Sequence, residues 1–260
     1  MQSITNINIS QNRILEDLNQ AFPETIFSYH AQGKSAVIFK AVDKYKTYAI
    51  RITNLQKMSP INSQEALHRF TKCGRKNVIN SSTMRISRAT GQSTYDVYAV
   101  GWFVSTKHRA YIFNSKSGRG GRRLSNMVKS IPNEVLENRK RVYGYMKVEW
   151  LEGEDLSDLQ RSGTQLSKTM LPKLQSTLAQ FWNAGFSHND LVGANIMWIP
   201  SQHRFVIVDL DTVNVNSYIQ TRKRTMQSGE NAMSYLKRQK HPDAHYHETS
   251  IEPRIKILFD

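Results

Sequence analysis

The stretch GFSHNDLVGANIMWIPSQHRFVIVDLD, residues 185–211, limits what this chain can fold into more than any other part of it. Upstream, Leu171, Leu174, Leu178 and Phe181 recur at helical spacing, and Gly185 supplies the helix stop. Downstream, NIMWI and RFVIVDLD are short apolar segments joined by the turn PSQH, the pattern of a two-stranded hairpin. Between helix and hairpin stand His188, Asp190 and Asn195, where an ordinary turn needs only Gly, Ser or Pro. The hairpin should fold Asp209 back beside that loop, bringing together residues that are separated in sequence.

The rest of the chain divides by pattern. Ile14, Leu15, Leu18 and Phe22 predict an N-terminal helix that Pro23 ends. SAVIFKAV and KTYAIRI, joined by the polar DKYK, read as a β-hairpin, and YDVYAVGWFV and HRAYIFN as two more strands. SQEALHRFTKC, with Ser63 as a candidate N-cap and Ala66, Leu67 and Phe70 on one face, predicts a helix. YGYMKVEWLEGEDLSDL is a strand that runs through a Gly-containing turn into a helix start, and the tail from Ser217 is polar and basic with one helix. A β-rich first half thus gives way to a helical second half near Glu149 to Gly153. No internal repeat interrupts this order.

A chain of 260 residues can bury a real core, and ordinary apolar content with plentiful aromatics argues for a folded protein over a disordered one. Its formal charge of +15 points to partners that carry negative charge. From Ala66 to Lys129 thirteen Lys or Arg face a single acid, Asp96, and the segment 115–130 adds three glycines among five cations, the composition of a solvated loop. The single Cys73 excludes an intramolecular disulfide and reads as a small buried hydrophobe. No apolar run approaches the roughly 20 residues that cross a bilayer. The start MQSITNINIS lacks a secretory pattern, so a cytoplasmic protein is expected, with contact at the inner membrane or export as an effector as the other options. In HPDAHYHE, His241, His245 and His247 sit with Asp243 and Glu248, but at a spacing that matches no closed metal site; a polar surface tail is expected there. Core packing accounts for Trp182 and Trp198, which flank the loop.

Phosphoryl transfer needs a carboxylate that orients the attacking hydroxyl and oxygen ligands that hold Mg²⁺ against nucleotide phosphates. Asp190 suits the first role, and Asn195 with Asp209 the second. Taken singly, His188 reads equally as a brace for its loop and Asp190 as a turn-forming residue; the combination carries the reading. The stretches HNDLVGAN and DLD resemble the catalytic loop H-R-D-x-x-x-x-N and the metal-binding turn D-F-G of the protein-kinase-like superfamily. The resemblance extends to GKSAVIFKA, similar to the second half of a Gly-rich loop, and to MKVEWLEGEDL, similar to the hinge between lobes. It covers most of residues 29–215 and is strong only after 145.

What the resemblance implies is an α+β, two-lobed kinase-like fold over residues 1–260. Its β-rich N-lobe would span 1–148, with the N-terminal helix and the basic insert, its hinge 149–153, and its reduced helical C-lobe 154–260. ATP and Mg²⁺ would bind in the cleft between lobes. Asp190 would be the catalytic carboxylate with His188 beside it, and Asn195 and Asp209 the metal ligands. Gly33 and Lys34 would lie in the phosphate loop, where Ala31 replaces a glycine. Arg51 stands in YAIRI where the family has its phosphate-binding Lys, with Lys40 and Lys34 as substitutes; Glu65 would pair with it, and Glu149 to Leu151 would offer backbone to adenine.

Departures from the pattern narrow the acceptor. Asn189 replaces the Arg that pairs with a phosphorylated activation loop, Asp211 replaces the last Gly of D-F-G, and only 49 residues (260 − 211) follow it. Together they lean toward a small-molecule or lipopolysaccharide core sugar kinase. A compact bacterial effector protein Ser/Thr kinase and a catalytically inactive scaffold are the alternatives. The acceptor is expected to be anionic; nucleic acid is not favoured, because no nucleic-acid-binding module is recognisable.

Overall fold

The computed structural model describes residues 5–32, 36–54, 82–105, 110–114, 141–215 and 232–259. The helix expected over SQEALHRFTKC with Glu65 and Cys73, the loop residues Gly33 and Lys34, and the basic segment 115–130 lie outside the described residues. The chain is mixed α+β and forms two compact units, Met1–Met84 with Val97–Trp150, and Arg85–Asp96 with Leu151–Asp260. Among the described residues no helix is long and apolar enough to cross a membrane.

The first unit is built on a six-stranded antiparallel sheet. Its strands are β1 (Ile26–Gln32), β2 (Val37–Val42), β3 (Thr47–Asn54), β4 (Val97–Ser105), β5 (Ala110–Asn114) and β6 (Arg141–Glu149), in the order β1-β2-β3-β6-β4-β5. Strand residues alternate between faces. Phe39 and Ala41 of β2, Tyr48, Ile50 and Ile52 of β3, and Tyr143 and Tyr145 of β6 therefore share one face. Helix α1 (Thr5–Ala21) covers that face with Ile14, Leu18 and Ala21; of the residues its periodicity selected, Ile14 and Leu18 are buried and Leu15 and Phe22 are partly buried against the same cluster. One polar contact is buried in this core: Tyr143 donates its hydroxyl to Asp17 at 2.8 Å. At the β2–β3 turn the Asp43 carboxylate accepts the amides of Tyr45 and Lys46, at 2.8 and 2.9 Å, which shapes the hairpin connection DKYK.

The second unit holds the short β7 (Glu154–Asp155), α2 (Leu156–Ser162), α3 (Leu171–Asn183), β8 (Phe186–Ser187), β9 (Ile196–Ile199), β10 (Arg204–Ile207), β11 (Asn214–Val215), α4 (Ala232–Arg238) and α5 (Glu252–Phe259). Asp155 caps α2 by accepting the amides of Ser157 and Asp158. The α3 face Leu174, Leu178, Phe181 and Trp182 is buried, and Gly185 (φ 85°) ends the helix by donating to Trp182 O at 2.9 Å. Strands β10, β9 and β7 form one small sheet and β11 pairs with β8. Gly153 passes so close to the Trp198 carbonyl that no side chain fits there. Residues 85–96 belong to this unit through polar contacts: Thr94 bridges Ile207, and Arg204 Nη1 donates to Gln92 O at 3.1 Å.

Candidate active site

The loop after β8 is fixed at its start by a carboxylate from far along the chain. The amides of His188 and Asn189 donate to Asp243 Oδ2 and Oδ1 at 2.9 and 2.8 Å, and the Trp182 indole donates to Oδ2 at 3.0 Å. Asp243 is 0% exposed, so three N–H donors stand in for the water this carboxylate has lost. His241 supports it from behind. Its Nδ1 accepts the Asp243 amide at 3.1 Å, which leaves Nε2 as the donor to Phe186 O at 3.2 Å. The expected polar surface tail is thereby corrected: His241 (3% exposed), Asp243 and His247 (6%) are buried, and His245 and Glu248 are exposed. The polarity of Asp243, with His241 behind it, serves the loop rather than solvent.

The chain then turns through a left-handed Asn189 (φ 61°), a conformation that Asn tolerates because its side chain can bond locally. Here that amide donates to Ser187 O and Thr212 O at 3.2 and 2.9 Å, and Thr212 Oγ1 donates to His188 O at 2.7 Å. The ring of the fully buried His188 reaches Val208 O at 2.9 Å through Nε2, so Nε2 carries a proton, while Nδ1 has no partner among the described residues. This histidine braces the loop against the end of β10.

Asp190 is half-buried and Asn195 buried. Asn195 Nδ2 donates to Asp190 O at 2.7 Å and lies 3.5 Å from Asp190 Oδ2, so the amide nitrogen is committed and the amide oxygen is the atom of this side chain that could ligate a cation. Val208 N donates to Asn195 O at 2.9 Å, which extends the Ile196–Ile207 rung and sets residue 209 beside the loop. Asp209 itself is exposed and left-handed (φ 55°, ψ 56°). Asp190 and Asn195 thus share one short loop, and the hairpin brings the backbone of Val208, the residue before Asp209, against Asn195. Hard carboxylate and amide oxygens suit Mg²⁺, which takes one or two carboxylates and fills its shell with water and phosphate oxygens. Among the described residues no group of three His, Cys, Asp or Glu gathers into a metal cage.

Other expected site residues are carried by the first unit. Arg51 is half-buried on β3, between Ile38 of β2 and Met146 of β6. Lys40 holds its ammonium 4.8 Å from the centre of the Trp150 ring. Glu149 ends β6 opposite Tyr48 in the first unit, and Leu151 begins the second. Gly33, Lys34 and Glu65 are not among the described residues.

Burial pushes the imidazoles of His241 and His247 below the ordinary histidine value of 6.5, against the opposing pull of Asp243 on the first and of Glu252 and Glu248 on the second. The unfolded chain therefore takes up protons at these sites before the folded one does. Their contribution to stability is full above pH 6.5 and is lost as pH falls through the folded-state values. Thermal melts are expected to give a lower Tm at pH 5.5 than at 7.5, and a smaller difference in His247→Gln. Equal slopes in both proteins would remove His247 from this account.

No model of a protein family matches the chain, and no similar sequence is found among curated proteins.

Proposed function

We propose that this protein is an ATP-dependent phosphotransferase of the protein-kinase-like kind. The observation that carries the reading is the Asp190–Asn195 loop. The Asn195 amide is tied to the Asp190 carbonyl, and Asp209 is carried alongside by the hairpin. Arg51 on the third strand adds support, because kinases carry their phosphate-binding cation on the third strand.

In this reading the acceptor hydroxyl attacks the γ-phosphorus, the bond to the β,γ-bridging oxygen breaks, and ADP leaves. Asp190 orients the hydroxyl and takes its proton. Asn195 Oδ1 and the Asp209 carboxylate would hold Mg²⁺, which when bound offsets the charge of the phosphates. Arg51, with Glu65, contacts the α- and β-phosphates, Gly33 and Lys34 belong to the phosphate loop, and backbone of Glu149 to Leu151 meets adenine. The HND loop and the acidic DLD turn favour a glycolipid or small-molecule acceptor. Arg51 in place of Lys is the feature that favours an inactive scaffold instead.

Labelled ATP with Mg²⁺ and either purified lipopolysaccharide or a generic protein separates these readings. Label in the glycolipid is expected. Label in protein alone would reassign the acceptor, and no label in either, with no rise in Tm on adding Mg·ATP, would leave the scaffold. Arg51→Ala is expected to raise the KM for ATP; an unchanged KM would remove its phosphate role.

A further inference from the structure

We infer that Arg254 is a positioning residue for the loop that carries Asp190 and Asn195, acting through Gly193. The inference rests on the phosphotransferase reading for its catalytic consequence and on geometry alone for the contact. Gly193 begins the tight turn Gly193–Asn195, midway between the two functional side chains. Its amide donates to Ser250 Oγ at 3.2 Å. Arg254 Nη1 donates to both Ser250 O and Ser250 Oγ, at 2.7 and 2.9 Å, so the serine is held while it holds the loop.

Packing points the same way. A methyl group at Gly193 would collide with Arg254 Nε and Cδ and come within 2.8 Å of Ser157 Oγ on α2. These are mid-chain atoms of an arginine whose far end is already bonded to Ser250, so the side chain has little room to yield. The glycine is thus required for close approach, with no left-handed backbone to explain it. Arg254 Nε is also buried and has no partner among the described residues. A buried donor left unpaired is unusual, and here it accompanies contact with the backbone of the loop.

The local helix geometry delivers both residues. His247–Ile251 is a π turn running directly into α5, the kind of irregularity that often marks functional positions. Ser250 and Arg254, four apart, lie on one face across this junction. Asp243 and His188 fix the start of the loop; Ser250 and Arg254 fix its middle. Loosening the middle would let Asn195 shift against Asp190, and a misplacement of about 1 Å can cost roughly 10²-fold in rate.

A double-mutant cycle tests this. Arg254→Ala is expected to lower kcat about 10- to 100-fold with the KM for ATP unchanged, and Arg254→Lys to recover part of the loss. Gly193→Ala should be impaired through its clash with Arg254, so adding Arg254→Ala to it should cost much less than Arg254→Ala does alone. Amide hydrogen exchange at Gly193 should quicken in Arg254→Ala and in Ser250→Ala. Additive effects in the cycle, or wild-type kcat and exchange in Arg254→Ala, would overturn the inference. Should Arg254→Ala fail to fold, Arg254→Lys and Ser250→Ala decide by the same exchange readout. No phosphoryl transfer by the unaltered chain would sink the phosphotransferase reading alone, since exchange at Gly193 reads the loop and not the chemistry.

Discussion

Phosphoryl transfer should fall by about 10²–10⁴-fold in Asp190→Asn, the range over which a positioned general base contributes. The substitution is close to isosteric, and it spares the Asp190 carbonyl that receives the Asn195 amide. What it removes is the carboxylate oxygen that, in the proposed mechanism, would orient the acceptor hydroxyl and take its proton. Melting temperature should therefore stay near that of the wild type while kcat collapses. Asn195→Ala is the contrasting variant: it deletes the proposed ligand atom and also the tie to Asp190, so both rate and loop stability should suffer. Transfer at the wild-type rate in Asp190→Asn would remove this carboxylate from the mechanism.

The elements legible in the sequence are those whose signal is local. Ile14 and Leu18 on α1 and Leu174, Leu178 and Phe181 on α3 are buried because helical periodicity alone decides which side faces a core. The β2–β3 and β9–β10 hairpins follow from apolar runs joined by turn residues, and with them the placement of Asp209 beside Asn195. Strand β1 gives a weaker signal. Its Ile26 is 75% exposed and Phe27 is its one buried residue, so alternation barely distinguishes it from loop.

Residues 85–96 illustrate a second kind of illegibility. Ser87, Thr90, Ser93 and Thr94 are buried in the second unit although the chain around them belongs to the first. They satisfy one another, with Thr90 Oγ1 2.9 Å from Thr94 Oγ1 and Ser93 Oγ donating to Thr90 O at 2.9 Å. Composition reports such a segment as polar and therefore solvated. Whether a polar side chain is buried depends on partners that composition does not name. The same limit hid the support of the candidate site: Asp190 and Asn195 declare themselves five residues apart on one loop, whereas Asp243 lies more than fifty residues away among histidines that read as surface.

Asp243→Ala is expected to destabilise the fold by about 3–5 kcal/mol, because it leaves three buried donors without their shared acceptor. Three donors lose their acceptor at once: the Trp182 indole and the amides of His188 and Asn189. Each buried donor left unpaired costs roughly 1–3 kcal/mol, and water entering the space left by the carboxylate would recover part of that. Asp243→Asn should cost less, because one oxygen still accepts; its new NH₂ must, however, face either the Asn189 amide or the pair of donors that now share Oδ2. Trp182→Phe, which removes a donor rather than the acceptor, should cost least of the three. Urea unfolding gives the order directly. The amide protons of His188 and Asn189 should exchange faster in Asp243→Ala than in Trp182→Phe, since only the first variant unpins them. A loss below about 0.5 kcal/mol, the scale of ordinary surface substitutions, would mean that the carboxylate does not anchor the loop.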